Sequence, residues 1–308
     1  MIAGTADDGL QLQAHHSAWT TCLYAGEPAA ARDHCEAGRR LYDPERHRSH
    51  HLLYGGHDPG VCAGYTGANI YWLLGYPEKG LAIASEALAL AERIAHPFSL
   101  EIALMNSAMH HLDRGEPELA LQRLGAAEIL AAEQRLGFTH EPQFLRGAAL
   151  SAQGAVEEAV ACLREGLAGR LGTTRSRPYG LACLAEALVR QGEHDAALAA
   201  AREGLEVQRQ TGQLRWQAEL HRLQGIALLG LNRLEESQRA LEDALRVARL
   251  QQAKAYELRA AMSFARLWGE QGRRAEARDL LAPVYGWFTE GFDTADLKEA
   301  KGLLGELT

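Results

Sequence analysis

Small and apolar residues recur along this chain in a helical rhythm that restarts about every 40 residues. The stretch Ala185–Leu205, AEALVRQGEHDAALAAAREGL, shows the unit. Two runs with apolar positions three and four apart, the spacing of one helix face, are broken at Gly192. Aligned on that break, anchors fall at Gly26, Gly75, Gly115, Gly154, Gly192, Asn232 and Gly272, separated by 49, 40, 39, 38, 40 and 40 residues. Gly or Asn suits a helix C-terminus, where the chain turns left-handed and a Cβ is costly.

The positions around each anchor repeat as well. Five residues after it stand Ala31, Gly80, Ala120, Ala159, Ala197, Ser237 and Ala277, all small. Seven before it stand Trp19, Ala68, Ala108, Gly147, Ala185, Gly225 and Ala265, small with the exception of Trp19. Small side chains at facing positions let two helices of a hairpin approach closely. Nine after the anchor runs an apolar seam of Cys35, Ala84, Leu124, Leu163, Ala201, Leu241 and Leu281. Four before it, mostly large residues such as Tyr71, Leu188 and Trp268 fill the groove.

This small–turn–small spacing resembles the tetratricopeptide repeat family, whose usual unit is 34 residues. The longer unit here adds about one or two helical turns per hairpin, at 3.6 residues per turn. The expected fold is therefore all-α: a right-handed superhelical solenoid of about seven such hairpins, grown by stacking as a single domain over residues 10–308. Residues 1–9 are expected to be loose. The first hairpin is Leu10–Gly26 with Pro28–Leu41. Others follow at Pro59–Ala95, Pro97–Leu136, Pro142–Leu171, Pro178–Thr211, Leu214–Gln251 and Ala253–Trp287. Pro97, Pro142 and Pro178 sit where helices should start.

Two segments depart from the rhythm. A His-rich insert at 42–60, YDPERHRSHHLLYGGHDPG, accounts for the 49-residue spacing. Asp43-Pro44 and Asp58-Pro59 each read as a helix start, with Asp as cap and Pro in the first turn. The tail at 293–307 reads as a capping helix with a stripe of Leu297, Ala300, Leu304 and Leu307, covering a core face that the last repeat would leave open.

Composition narrows the setting. A net charge of −8 argues against a nucleic-acid or anionic-membrane surface. Five cysteines, an odd number with no CxxC pair, point to a reducing cytoplasm rather than a disulfide framework. The N-terminus lacks the pattern of a signal peptide, and no apolar run reaches the roughly 18 residues that a membrane helix needs.

A second resemblance is more specific. HHSAWTT, LYDPERHRSHHLLYGGHDPGV, WLLGYP, HPFSL and WFTEGFDTADLKEAKGLL resemble the C-terminal repeat region of bacterial proteins that fuse an AAA-type ATPase module, often with a class III adenylate/guanylate cyclase domain, to such repeats. No GxxxxGK[ST] loop and no cyclase domain occur here, so neither activity carries over. The resemblance implies a sensor or regulatory module in bacterial signalling, with an ATPase or cyclase module as one partner.

The first helix of each hairpin should line the inner wall of such a solenoid. Its inward positions include His16, Tyr65, Asn69, Met105 and Phe144 in the N-terminal half. In the C-terminal half they include Tyr179, Glu186, Arg222, Arg259 and Arg266. This mixture of aromatic, amide, apolar and charged groups suits a protein or peptide segment. Arg222, Arg259 and Arg266 form a candidate anion patch, with pairing to Glu219 and its like as the alternative. His47, His50 and His51 share one side of a helix if the insert is helical, and with His57 and Asp58 they make a candidate ligand or zinc set. Their spacing matches no established zinc pattern, and packing or turn-stabilising roles are the alternative. Cys62, inward and near a helix start, could pair with His57. No catalytic constellation stands out, so the expected function is a non-enzymatic binding scaffold without a required cofactor. The alternative is a small-molecule or metal sensor built on the insert.

Overall fold

A computed structural model describes residues 7–136, 141–169 and 176–308, and among them all regular structure is helical. Seven hairpins pair α1 (Asp8–Tyr24) with α2 (Pro28–Leu41), α4 (Pro59–Leu73) with α5 (Pro77–Ile94), and α6 (Pro97–Arg114) with α7 (Pro117–Gln134). They continue with α8 (Glu141–Ala152) and α9 (Val156–Ala168), α10 (Arg177–Gln191) and α11 (His194–Thr211), and α12 (Gln217–Gly230) and α13 (Leu234–Leu250). The last pair is α14 (Lys254–Glu270) and α15 (Arg274–Tyr285), followed by α16 (Ala295–Glu306). A single-turn helix, α3 (His50–Leu53), lies inside the insert. No described helix is long and apolar enough to cross a membrane.

All seven anchors are left-handed, from Gly26 (φ 79°) to Gly272 (φ 76°), with Asn232 (φ 58°) as the one that carries a side chain. The turn is closed by a recurring bond in which the N–H after the anchor donates to the carbonyl four before it. Examples are Glu27 to Cys22 (2.8 Å), Glu116 to His111 (2.8 Å), Glu193 to Leu188 (2.9 Å) and Arg273 to Trp268 (2.8 Å). Carbonyls that a helix end would otherwise orphan are thereby satisfied. At Gly192 a Cβ would meet no atom within 4 Å, so backbone conformation rather than space selects the glycine there.

Facing positions meet as the spacing predicts. Ala31, Ala120, Ala159, Ala197, Ser237 and Ala277 are each 0% exposed. Ser237 Oγ donates to the Gly225 carbonyl at 2.8 Å, joining the position five after an anchor to the one seven before it. A Cβ on Gly147 would stand 2.4 Å from Leu163 Cγ, and one on Gly225 would stand 2.8 Å from Leu241 Cγ, so these glycines admit the leucines of the seam. Trp19, the large exception, is accommodated by Gly38 of α2, where a Cβ would fall 2.3 Å from Trp19 Cζ3.

The chain groups into two compact units, the first running to Phe138 and the second from Thr139, with Leu73–Tyr76 counted in the second. In the second unit the core closes over Leu258, Phe264, Leu267, Leu281 and Val284 of the last hairpin. The capping helix α16 adds Leu297, Ala300, Leu303 and Leu307 to that core, with Leu304 at its edge. The expected stripe is thus present, with Leu303 added to it.

Two boundaries differ from expectation. Asp8 already lies in α1, and Asp7 Oδ1 caps it by accepting from Gly9 N (2.8 Å) and Leu10 N (3.1 Å). The remainder of the expected loose segment, residues 1–6, lies outside the described residues, as does the expected hairpin end at Leu171. The helix expected from Pro44 is a series of turns as far as Ser49, although Asp43 Oδ1 does accept from Glu45 N (2.9 Å) and Arg46 N (3.0 Å).

Candidate functional site: an imidazole–thiol cluster beside the inner helices

Helix α4 opens at a buried cap. Asp58, 2% exposed, accepts from Val61 N on Oδ1 (2.9 Å) and from Tyr42 Oη on Oδ2 (3.0 Å), while its own N–H donates to Ser99 Oγ (2.9 Å). This bonding fixes the start of α4 against α6 and the end of α2. It also fixes the two flanking residues that carry chemistry: His57 in the preceding loop and Cys62 in the first turn of α4.

His57, Cys62 and His16 of α1 converge. Their ligand atoms all lie within 4.8 Å of one another, and His57 Nε2 stands 3.3 Å from His16 Nε2. Each ring is anchored through its other nitrogen. His57 Nδ1 lies 2.9 Å from the Gly55 carbonyl, which only accepts, so that nitrogen carries the proton. His16 Nδ1 lies 3.0 Å from Gln13 Oε1, whose amide Nε2 is occupied by His50 Nδ1 at 2.7 Å. His16 also stacks on Trp19, with ring centroids 4.9 Å apart, and meets His57 edge-on at 5.1 Å.

Cys62 is 2% exposed. Burial pushes its thiol up, but the hydrogen bonds and charges of His16 and His57 outweigh this and bring it well below the ordinary thiol value. For His57 the balance runs the other way. Burial disfavours its imidazolium, yet the bonds to Cys62 and the Gly55 carbonyl leave its pKa raised. The pair of expected residues, Cys62 and His57, is therefore brought together, with His16 as a third member.

The remaining members of the expected zinc set stay outside this cluster, although the rings of His47 and His50 meet with centroids 4.8 Å apart. His47 Nδ1 accepts from the Asp43 N–H at 3.0 Å and the side chain is buried. His50 is held by Gln13, and His51 packs on His96 with centroids 4.3 Å apart. Asp58 is a helix cap. His51 turns away from His47 and His50, and among the described residues His16, His57 and Cys62 alone form a metal-competent group of three or more.

The inner wall is also corrected in part. Tyr65, Tyr179, Glu186, Arg222 and Arg259 are partly exposed and Arg266 is exposed, at the register predicted for them. Phe144 (1%), Asn69 (2%) and Met105 (7%) are buried instead. Phe144 fills the space left by Gly166 and Gly180, where a Cβ would come within 2.9 Å and 2.7 Å of its ring. Asn69 Nδ2 donates to the Tyr65 carbonyl (3.1 Å) and to Asn106 Oδ1 (3.3 Å). On α6 Ile102 and Met109, at the expected register, are partly exposed, and so is Asn106, the residue after the buried Met105.

The arginines are paired internally. Arg222 forms a forked pair with Glu219, Nη2 to Oε1 at 2.5 Å and Nε to Oε2 at 2.9 Å. Arg259 Nε donates to Asp296 Oδ2 at 2.7 Å, and Arg266 pairs with Glu299. Burial raises the Glu219 carboxyl, but the Arg222 charge and hydrogen bonds and Arg259 prevail and hold it below the usual range. These carboxylates occupy the expected anion patch.

The comparisons with known proteins follow this geometry. Residues 178–203, α10 and the start of α11, match the family described as tetratricopeptide repeat. The crystal structure of a Rap protein complexed with competence and sporulation factor superposes over 100% of this chain and 79% of its own, with TM-score 0.65 and 15% identity. That of NprR in complex with its cognate peptide NprX covers 99% of this chain and 87% of its own, with TM-score 0.62 and 12% identity. The fold is a tetratricopeptide-like helical solenoid. An uncharacterized Rhizobium meliloti protein, R02095, is 28% identical over 277 residues, which is 87% of this chain. The chain spans about a quarter of that relative's length, 26%.

Proposed function

We propose that the chain is a non-enzymatic protein- or peptide-binding scaffold that uses the exposed faces of its first helices. The observation that carries this reading is a repeated one. Within each unit the middle turns of the first helices leave side chains of mixed chemistry partly exposed among buried neighbours. Tyr65, Ile102, Asn106 and Met109 do so in the first unit, and Tyr179, Glu186, Arg222 and Arg259 in the second. Aromatic and apolar anchors with a few orienting polar groups are what a peptide groove requires. The fold likeness to NprR, solved with a peptide, supports the same reading.

The finer part of the proposal is a regulatory role in bacterial signalling, in the cytoplasm, next to an ATPase- or cyclase-type module. The phrase-level resemblance of the sequence supports it. Binding would shift populations among arrangements of stacked repeats, since each repeat touches mainly its neighbours. A random peptide library displayed on phage and selected on the immobilised full chain tests the scaffold reading. Enrichment of a shared sequence motif is expected. Repeated rounds without enrichment, on a chain of verified helicity, would count against it.

A further inference from the structure

We propose that His16, His57 and Cys62 form a zinc site, giving Nε2, Nε2 and Sγ as three ligand atoms and leaving a fourth position open. The hydrogen bonds behind the cluster set its geometry. Gly55 and Gln13 each supply an oxygen to the Nδ1 of one imidazole, which places the ring proton there and turns a bare Nε2 lone pair inward on both rings. The two Nε2 atoms then face each other at 3.3 Å with the Cys62 sulfur beside them. A cation between them would satisfy all three groups at once.

The separation also fits. Two nitrogens bound to one tetrahedral zinc at about 2.0–2.1 Å stand about 3.3–3.4 Å apart. The ligand atoms, sulfur included, lie within 4.8 Å of one another, so the sulfur has at most about 1 Å to close to reach its usual bond of about 2.3 Å. A ring N–H held by a carbonyl oxygen is the arrangement that supports metal-bound histidines, since it fixes tautomer and orientation. Thiolate with imidazole favours zinc over oxygen-seeking cations such as magnesium or calcium. Loading would displace the thiol proton to solvent and leave a site of net charge +1.

The site joins α1, the loop before α4 and α4 itself, so zinc would pin the insert to the first hairpin. It is independent of the scaffold reading, which would survive its failure.

The test is a zinc titration of the full chain, stripped with chelator under reductant, against a chromophoric competitor. One equivalent is expected, with at least tenfold weaker binding in each of His16→Gln, His57→Gln and Cys62→Ala. His51→Gln and His47→Gln should bind as the parent does. Gln13→Ala, which frees the His16 ring without removing a ligand, should weaken binding about 10- to 100-fold. Cobalt in place of zinc gives a second reading on the unaltered chain: a thiolate-to-cobalt charge-transfer band of a four-coordinate site. Substoichiometric binding, binding unchanged in the three ligand variants, or cobalt bound without that band would each overturn the proposal.

Discussion

Gly38 of α2 lies directly beneath the indole of Trp19 of α1: a Cβ added there would stand 2.3 Å from Cζ3. Trp19 is fully buried, so the ring has no free direction in which to retreat. The substitution Gly38→Ala should cost about 1–3 kcal/mol through overpacking. The contrasting case is Gly125→Ala in α7, where a Cβ meets nothing within 4 Å. In a helix interior that change should stabilise by about 0.5–1 kcal/mol. Thermal denaturation of the two variants beside the parent checks both signs.

Phe144→Ala should cost about 3–5 kcal/mol, the penalty for emptying a buried aromatic site. It faces Gly166 and Gly180 and is 1% exposed, so the loss is one of core packing rather than of a partner contact. Urea unfolding gives the magnitude. A destabilisation below about 1 kcal/mol would mean that Phe144 is not a core residue after all.

Glu219 is buried with the guanidinium of Arg222 forked onto it and that of Arg259 at 4.0 Å. Removing the carboxylate takes the forked partner from a largely buried Arg222, while Arg259 keeps Asp296. Glu219→Ala should therefore cost about 3–5 kcal/mol. The double change Glu219→Ala with Arg222→Ala should recover part of that loss, and denaturant midpoints of the single and double variants measure the coupling.

His110 is 1% exposed, and burial with Arg114 and His111 nearby lowers its pKa to about 4 from an unfolded value of 6.5. The unfolded chain therefore binds a proton between these values that the folded chain refuses. Its contribution is complete above about pH 6.5 and is lost as pH falls towards about 4. At pH 5 the loss from this group alone is about 2 kcal/mol. His15, His50, His96 and His221 are lowered too and add to the same trend, whereas His57 is raised and opposes it. His110→Gln should flatten the fall in melting temperature between pH 7 and pH 5, as measured by calorimetry.

The hairpins were legible because their rule is local. A left-handed turn residue, a small residue seven before it and another five after it follow from helix geometry alone, and Ser237 against Gly225 shows the two positions touching. Trp19 broke that rule in the sequence. Its compensation at Gly38 sits on the partner helix twelve residues after the anchor, a position that is also glycine at Gly166 and Gly204, so its pairing with Trp19 became visible only in the packing. The cluster was hidden for a similar reason. His16 and His57 are 41 residues apart, and neither belongs to a spaced motif. A signal was nevertheless present: His16 and Cys62 both occupy inward positions of neighbouring first helices, and His57 immediately precedes one of them. The insert misled through its histidine spacing, since i, i+3, i+4 matters only on a helix and the chain there forms turns until His50.

The central claim is that the first-helix faces grip a protein or peptide segment. A photo-crosslinking amino acid placed at Tyr65 and Tyr179, and for comparison at the exposed second-helix residues Ile129 and Leu250, tests it with a peptide enriched on the intact chain. The account predicts adducts at Tyr65, Tyr179 or both, and none at Ile129 or Leu250. Adducts confined to the second-helix positions would contradict it.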